Sequence, residues 1–176
     1  MDMSPTLVMS FLGLLCFAGF MLWAAIGDVR SFTITNKLNL IIAGTFLLFA
    51  LPMGLAWPAI VDHVKVGLIA TAIALAMFYI GIFGGGDAKM TGAIGLWLGS
   101  GPMLPFVFYT ALAGGVLGVA LIIGRRLAKQ YGLPKSPKWA RRILRKRSAV
   151  PYGVALGIGA LVAAPQAVWF PHTIFG

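Results

Sequence analysis

Residues 105–123 read PFVFYTALAGGVLGVALII, and these 19 positions contain no charged side chain. A helix needs about 20 apolar residues to cross the hydrocarbon of a bilayer, so the stretch is predicted to span a membrane. Directly after it, residues 124–150 carry ten of the fourteen lysines and arginines. Such a basic run beside an apolar span is typical of a cytoplasmic loop, and it predicts the orientation of the span.

The composition of the whole chain indicates the same class of protein. Its 176 residues are 60% hydrophobic and 10% charged, with a mean hydropathy of +0.94. A water-soluble domain needs more polar surface, so we predict one integral membrane domain over residues 1–176, surrounded by membrane lipids. The net charge of +10 does not indicate nucleic-acid binding, because the positive charges concentrate in the predicted loop 124–150.

Six apolar stretches predict an all-α fold with about six transmembrane helices. They cover residues 7–26, 38–57, 64–83, 88–98, 105–123 and 152–170. The fourth is short, since 11 residues form a helix of only about 16 Å, and it either continues to Leu104 or is a sheltered short span. Pro165 predicts a kink in the sixth helix. The first stretch lacks a basic region before it and is expected to be a retained helix rather than a cleaved signal peptide.

The remaining basic residues predict which side of the membrane each loop faces. With the loop 124–150 in the cytoplasm, the loop of Arg30 and Lys37 and the turn of Lys89 are cytoplasmic too, and Lys65 alone is outside. Six spans with both termini outside, in the periplasm, fit this distribution. Within the basic loop, residues 137–147 either form an amphipathic surface helix or, as we favour, a solvated topology anchor.

Four aspartates are the only acidic residues, because the chain contains no glutamate. Asp28 closes the first predicted helix and Asp87 opens the fourth, so both are expected at the cytoplasmic boundary. Carboxylates near hydrocarbon are costly unless they are paired, sheltered or functional. Two carboxylates held together can share a proton and activate water, as aspartic peptidases require. We therefore expect Asp28 and Asp87 to form a catalytic pair.

Each of these aspartates also has a purely structural interpretation. Asp87 can be the N-cap of the fourth helix, where its carboxylate would accept from free amides. Asp28 can pair with Arg30 or lie at the boundary as a solvated charge. The glycines before Asp87 allow backbone conformations and close approaches that other residues do not.

The other polar residues are predicted to be unremarkable. Asp62 and His63 fall between the second and third predicted spans and are expected to be solvated residues of an outer loop, and His172 is expected to be solvated as well. Cys16 is expected to be a packing residue, since a single cysteine can form no disulfide within the chain.

Two motifs resemble those of the type IV prepilin peptidases. Residues 27–36, GDVRSFTITN, resemble the first family signature, Asp-x-Arg-x-x-x-Ile-x-Asn, although Thr35 stands where many members have proline. Residues 84–90, GGGDAKM, resemble the second, Gly-x-Gly-Asp-x-Lys followed by an apolar residue. Residues 151–155, PYGVA, are similar to a Pro-aromatic-Gly-x-Ala element near the end of the family's sequences. The resemblance extends from the first predicted helix to the sixth.

This resemblance implies a membrane aspartic endopeptidase with Asp28 and Asp87 as the catalytic residues. The substrate would be a prepilin or pseudopilin, cut at the cytoplasmic edge of its apolar helix, after a short basic leader. Arg30, Asn36 and Lys89 would orient the aspartates or bind the leader, and Gly84 and Gly86 are included with them as substrate-binding or orienting residues. No metal or cofactor is implied, because carboxylates activate the water.

Longer members of that family carry a cytoplasmic insert with paired Cys-x-x-Cys zinc motifs and an N-methyltransferase activity. This sequence has a single cysteine and no such insert. It is therefore similar to the peptidase-only form of the tight-adherence (Flp/Tad) pilus systems, which would place it in the bacterial inner membrane.

Three other interpretations remain open. A presenilin-like protease shares the Gly-x-Gly-Asp turn but uses a Pro-Ala-Leu element, which this sequence lacks. A small transporter could use the same aspartates as a proton relay, but no internal repeat of the kind common in transporters is visible. A non-catalytic component of a pilus or secretion machine would need neither carboxylate.

Overall fold

The computed structural model describes residues 4–132, 137–145 and 150–171. These parts of the chain form helices, with no strand among them, so the predicted all-α class is confirmed. The helices are α1 (Pro5–Ser31), α2 (Asn36–Ala50), α3 (Trp57–Tyr79), α4 (Gly85–Leu98), α5 (Met103–Tyr131), α6 (Lys138–Ile143) and α7 (Tyr152–Ala163), and a 3₁₀ turn, Ala164–Gln166, follows α7.

Three of these helices, α1, α3 and α5, are long and apolar enough to cross a membrane. Helix α2, and α7 together with its 3₁₀ turn, are apolar but shorter. Helix α4 has 14 residues, which give it a length of only about 21 Å. Length and composition therefore place the chain among membrane proteins with three clear spans, and the count of six stays a prediction.

The predicted boundary between the second and third spans is wrong. Helix α2 ends at Ala50, and Trp57 begins α3 instead of ending the helix before it. Pro58 lies in the first turn of α3, where a missing amide costs no hydrogen bond. Asp62 and His63 therefore lie within α3 and not in a loop, and the His63 side chain is only 1% exposed.

Two further boundaries differ from the sequence-based prediction. Helix α5 continues to Tyr131, so the predicted basic loop begins as helix, and Gly132 ends it with a φ of 89°. Helix α7 ends at Ala163, and Pro165 lies in the 3₁₀ turn, so this proline ends a helix instead of kinking one.

The basic segment is described only in part. Within residues 137–147 the structure forms the six-residue helix α6, shorter than an amphipathic surface helix over the whole segment would be. Lys135, Lys146 and Arg147 of the predicted loop, and His172, lie outside the described residues.

Helix α4 is the central element of the bundle. It packs against α3, α2 and α7, while α7 also packs against α1 and α5. The fully buried ring of Trp97 in α4 lies at the centre of an aromatic cluster, with ring centroids 5.2 Å from Phe17, 5.7 Å from Phe46 and 5.5 Å from Trp169. The short helix that carries Asp87 is therefore held by packing on several sides.

The carboxyl end of α4 is satisfied by side chains from other elements. Its last carbonyls have no partner within the helix. His63 donates from Nδ1 to the carbonyl of Leu96 at 2.9 Å, and Trp169 donates from Nε1 to the carbonyl of Trp97. Just beyond the helix, the amide of Ser100 donates to the Asp62 carboxylate at 2.9 Å. These hydrogen bonds satisfy the carbonyls of Leu96 and Trp97 at a helix end that lies in apolar surroundings.

Candidate active site

Asp28 lies in the last turn of α1. The helix ends at Ser31, and Phe32 adopts a left-handed conformation with a φ of 54°. The Asp28 side chain is 4% exposed, and its Oδ2 accepts a hydrogen bond of 2.6 Å from the amide of Gly153. Gly153 is the second residue of α7, where amides have no partner within the helix. The amino end of α7 thus binds the carboxylate of Asp28.

Asp87 lies in the first turn of α4 and is half-buried. Gly84 is the N-cap residue, so the interpretation of Asp87 as the N-cap is wrong. The Asp87 carboxylate accepts instead from the amide of Gly84, which is how the third residue of a helix contributes to a capping box. A negative charge at this position also interacts favourably with the helix dipole.

The two aspartates meet at one end of the bundle, which we call the aspartate end. It is formed by the carboxyl end of α1 and the amino ends of α4 and α7. The charge of Asp28 acts on Asp87, and the charge of Asp87 acts on the phenol of Tyr152. The Tyr152 ring packs against Phe83 with centroids 5.2 Å apart. The structure therefore places the two predicted catalytic carboxylates in one electrostatic environment, with two aromatic rings beside them.

Three glycines allow this close approach. A Cβ atom at Gly84 would lie 2.7 Å from Oδ2 of Asp87, and one at Gly153 would lie 2.9 Å from Oδ2 of Asp28. A Cβ at Gly86 would lie 2.8 Å from the carbonyl oxygen of Ile34. These distances are shorter than real Cβ contacts. A side chain at Gly84 or Gly153 would therefore displace the neighbouring carboxylate, and one at Gly86 would meet the backbone of residue 34.

Asn36 and Lys89 are also brought together. Lys89 donates from Nζ to Oδ1 of Asn36 at 2.8 Å, which joins the first residue of α2 to the first turns of α4. Both side chains are exposed. Thr35, at the position where many family members have proline, is the N-cap of α2 and accepts from the amide of Leu38 at 3.2 Å.

Arg30 is the predicted site residue that the structure separates from the aspartates. It is exposed, and its carbonyl accepts from Nη1 of Arg142 at 2.7 Å. Within the described part of the chain, no ion pair joins its guanidinium group to Asp28, so the salt-bridge interpretation of Asp28 is not supported. Nor do the described residues contain a group of three or more His, Cys, Asp or Glu side chains that could bind a metal ion.

Three further residues, with no role predicted from the sequence, support the site. Gly153 and Tyr152 belong to the PYGVA element at 151–155, which was noticed only as a resemblance. Asn39 is buried in α2 and donates from Nδ2 to the carbonyl of Gly86 at 3.3 Å. Its one signal in the sequence is an amide side chain at the start of an otherwise apolar helix.

Residues 15–119, more than half of the chain, match the Type IV leader peptidase family. The chain is 28% identical over 130 residues to the Prepilin leader peptidase/N-methyltransferase of Bacillus subtilis (strain 168). That alignment covers 69% of this chain and 49% of the relative, so the chain spans about half of the relative's length. No solved structure gave a significant match. The family match includes both Asp28 and Asp87, and the chain belongs to the type IV leader peptidase family.

Proposed function

We propose that this protein is a membrane aspartic endopeptidase that removes the basic leader from prepilins or pseudopilins. The observation that carries the proposal is the meeting of Asp28 and Asp87 at the aspartate end, where each accepts from a backbone amide at the amino end of a helix. Membership of the leader peptidase family supports the peptidase class. The name of the Bacillus subtilis relative supports prepilins as the substrate class.

The proposed reaction uses the two carboxyl groups in opposite protonation states. The ionised one removes a proton from water, whose oxygen attacks the carbonyl carbon of the scissile peptide bond. The protonated one donates its proton to the carbonyl oxygen. When the tetrahedral intermediate collapses, the C–N bond breaks and the amine leaves with a proton from the pair. The two products are the free leader and the mature pilin.

We propose that Asn36 and Lys89 position the aspartates. Their hydrogen bond joins α2 to α4 two residues beyond Asp87, so it restricts movement of the turn that carries this carboxylate. A basic leader would be attracted to the aspartates and repelled by Lys89, which favours positioning over leader binding for the lysine. Arg30 is exposed near the same end and is a candidate contact for the pilin backbone beyond the leader.

We propose that the protein lies in the bacterial inner membrane with six spans, periplasmic termini and the aspartate end at the cytoplasmic side. The support is the distribution of the basic residues, of which ten lie within residues 124–150. The single cysteine, Cys16, excludes paired Cys-x-x-Cys motifs within this sequence. This supports the peptidase-only form, as in Flp/Tad pilus systems.

The decisive experiment replaces each aspartate by its neutral amide. We expect Asp28→Asn and Asp87→Asn each to lower the cleavage rate of a co-reconstituted prepilin by about 10²- to 10⁴-fold, because each removes one half of the acid–base pair. The rate is measured in vesicles by the mobility shift of the processed pilin. Both variants should remain in the membrane fraction at normal levels.

Asp62→Asn is the matched control. Asp62, in α3, also accepts a hydrogen bond from a backbone amide, that of Ser100. This bond lies at the carboxyl end of α4, whereas Asp87 lies at the amino end. We expect this variant to cleave at the normal rate, since an asparagine oxygen can still accept that hydrogen bond. Undiminished cleavage by either Asp28→Asn or Asp87→Asn would refute the proposed mechanism. A proton flux through the unmodified protein that these two variants lose would favour a transporter.

A further inference from the structure

Two openings lie along the sides of the bundle, next to opposite faces of α4. Among the described helices, α3 packs mainly on α4. The first opening, the α2–α3 groove, has a volume of about 570 Å³ and includes Asn36, Lys89 and Leu96 in its lining. The second, the α3–α5 cleft, has a volume of about 330 Å³. Its lining includes Ile73, Met77, Phe83, Val107, Thr110 and Tyr152.

The helical period of α4 indicates which opening lies on the Asp87 side of this helix. Residues four apart lie on the same face of a helix, so Thr91 shares the face of Asp87. Thr91 lines the α3–α5 cleft, and its hydroxyl donates to the carbonyl of Asp87 at 2.9 Å. The α4 residues that line the α2–α3 groove lie on a different face of this helix, and they are Lys89, Gly92, Ala93 and Leu96. The α3–α5 cleft is therefore the opening on the side of the carboxylate.

The cleft also begins at the aspartate end and runs along the bundle from there. Phe83 and Tyr152, which lie beside Asp87, form its near end. Along α3 its wall extends from Met77, near the aspartate end, to Ala70, a distance of about 10 Å. A chain that left the aspartates through this opening would thus continue directly between α3 and α5.

The walls of the cleft are apolar and open toward the outside of the bundle. Ile73 on α3 is 58% exposed and Val107 on α5 is 55% exposed. Three polar side chains, Thr91, Thr110 and Tyr152, also belong to this lining. The Thr110 side chain is 5% exposed, and its hydroxyl oxygen lies against Gly159 of α7.

We propose that the α3–α5 cleft binds the apolar membrane-spanning segment of the substrate, immediately after the scissile bond. This rests on the proposed peptidase function and specifies how the substrate is held. A helix is about 10–12 Å wide, so a cleft of about 330 Å³ takes the side chains of one helix face and leaves the rest in lipid. The leader then lies outside the cleft, at the aspartates.

The proposal is tested by site-specific photo-crosslinking. Ile73 and Leu68 form a matched pair, because both are on α3, are 58% and 67% exposed, and line the cleft and the groove respectively. Each is replaced by p-benzoylphenylalanine in the Asp87→Asn variant, which retains uncleaved substrate. The probe is a synthetic prepilin with a short Lys/Arg leader and about 20 apolar residues, reconstituted in phosphatidylethanolamine–phosphatidylglycerol vesicles. We expect crosslinks to its apolar segment from position 73 and not from position 68.

The outcomes separate this inference from the function on which it rests. If the unmodified protein cleaves the probe but crosslinks form from position 68, or only to lipid, the cleft proposal is overturned and the peptidase proposal stands. If the unmodified protein does not cleave the probe, both proposals fail.

A second measurement does not depend on crosslinking. Ala111 lines the cleft and is exposed, whereas Ala43 lines the groove. We expect Ala111→Trp to fill the cleft and raise KM about tenfold with little change in kcat, because it removes binding that ground state and transition state share. Ala43→Trp should leave both constants unchanged. An unchanged KM in a folded Ala111→Trp protein would overturn the proposal.

Discussion

At the scale of single residues, the candidate site depends as much on absent side chains as on the two carboxylates. Gly84, Gly86 and Gly153 leave space that Asp87, Ile34 and Asp28 occupy. The middle glycine, Gly85, differs from its neighbours, because a Cβ there would lie 3.4 Å from the Phe78 ring, an ordinary contact. The pattern Gly-x-Gly-Asp thus has a steric cause in this structure.

This difference predicts the effects of three alanine substitutions. Gly84→Ala should lower kcat by about 10²-fold, because the added methyl group displaces the Asp87 carboxylate. A misplacement of about 1 Å at a catalytic group can lower a rate by about 10²-fold. Gly86→Ala should destabilise the protein by about 1–3 kcal/mol, because its Cβ meets the backbone of residue 34. Cleavage rates and thermal unfolding in detergent measure the two effects.

Gly85→Ala is the internal control for both variants. We expect its free energy of unfolding to stay within about 0.5 kcal/mol of that of the unmodified protein. Its cleavage rate should be unchanged. Equal effects of alanine at all three positions would show that glycine is required here for backbone freedom, and the steric explanation would be wrong.

At the scale of elements, α4 is the helix on which the site depends. It is too short to span a membrane by itself, and its carboxyl end is completed by His63 from α3 and by Trp169 from the chain after α7. Packing and hydrogen bonding at that end therefore hold the helix whose first turn carries Asp87. The burial of His63, unexpected from the sequence, follows from this role and from its stacking on Phe46 at 5.0 Å.

Trp169→Phe tests this support. It keeps an aromatic ring in the cluster but leaves the carbonyl of Trp97 without its donor, and a buried unpaired carbonyl costs about 1–3 kcal/mol. We expect a lower unfolding temperature in detergent. Trp23→Phe, at a position 57% exposed on α1, should leave the unfolding temperature unchanged. Equal stability of the two variants would mean that the end of α4 is held by packing alone.

At the scale of the whole molecule, the site can process a cytoplasmic leader only if the aspartate end faces the cytoplasm. The exposed Gln130, in the last turn of α5, is predicted on that side, whereas Ala56, between α2 and α3, is predicted on the outer side. The basic residues of 124–150 are the basis for this orientation.

Single cysteines introduced in a Cys16→Ala protein test the orientation. A membrane-impermeant maleimide added to intact cells with a permeabilised outer membrane should label Ala56→Cys and leave Gln130→Cys unlabelled. Inverted inner-membrane vesicles should give the opposite result. Labelling of Gln130→Cys from outside would place the aspartate end in the periplasm and exclude cleavage of a cytoplasmic leader.

The helical membrane class could be predicted from the sequence, because unbroken apolar stretches and clustered basic residues have few other physical explanations. It also singled out Asp28 and Asp87, since acidic residues are scarce in this chain and charges near hydrocarbon are costly. The predicted helix boundaries differed from those of the structure where a proline lay near the end of a helix. Pro58 starts α3 and Pro165 ends α7, and the local sequence does not distinguish a proline that starts a helix from one that stops it.

The contacts that hold the site together could not be predicted from the sequence. The amide of Gly153 reaches Asp28 from 125 positions along the chain, Asn39 reaches the carbonyl of Gly86, and His63 is drawn from a predicted loop into the core. Each of these contacts joins segments that are distant in the sequence, so neither local composition nor periodicity contains it. The packing of α4 against its neighbours creates them, because buried polar groups must find partners wherever the fold places them.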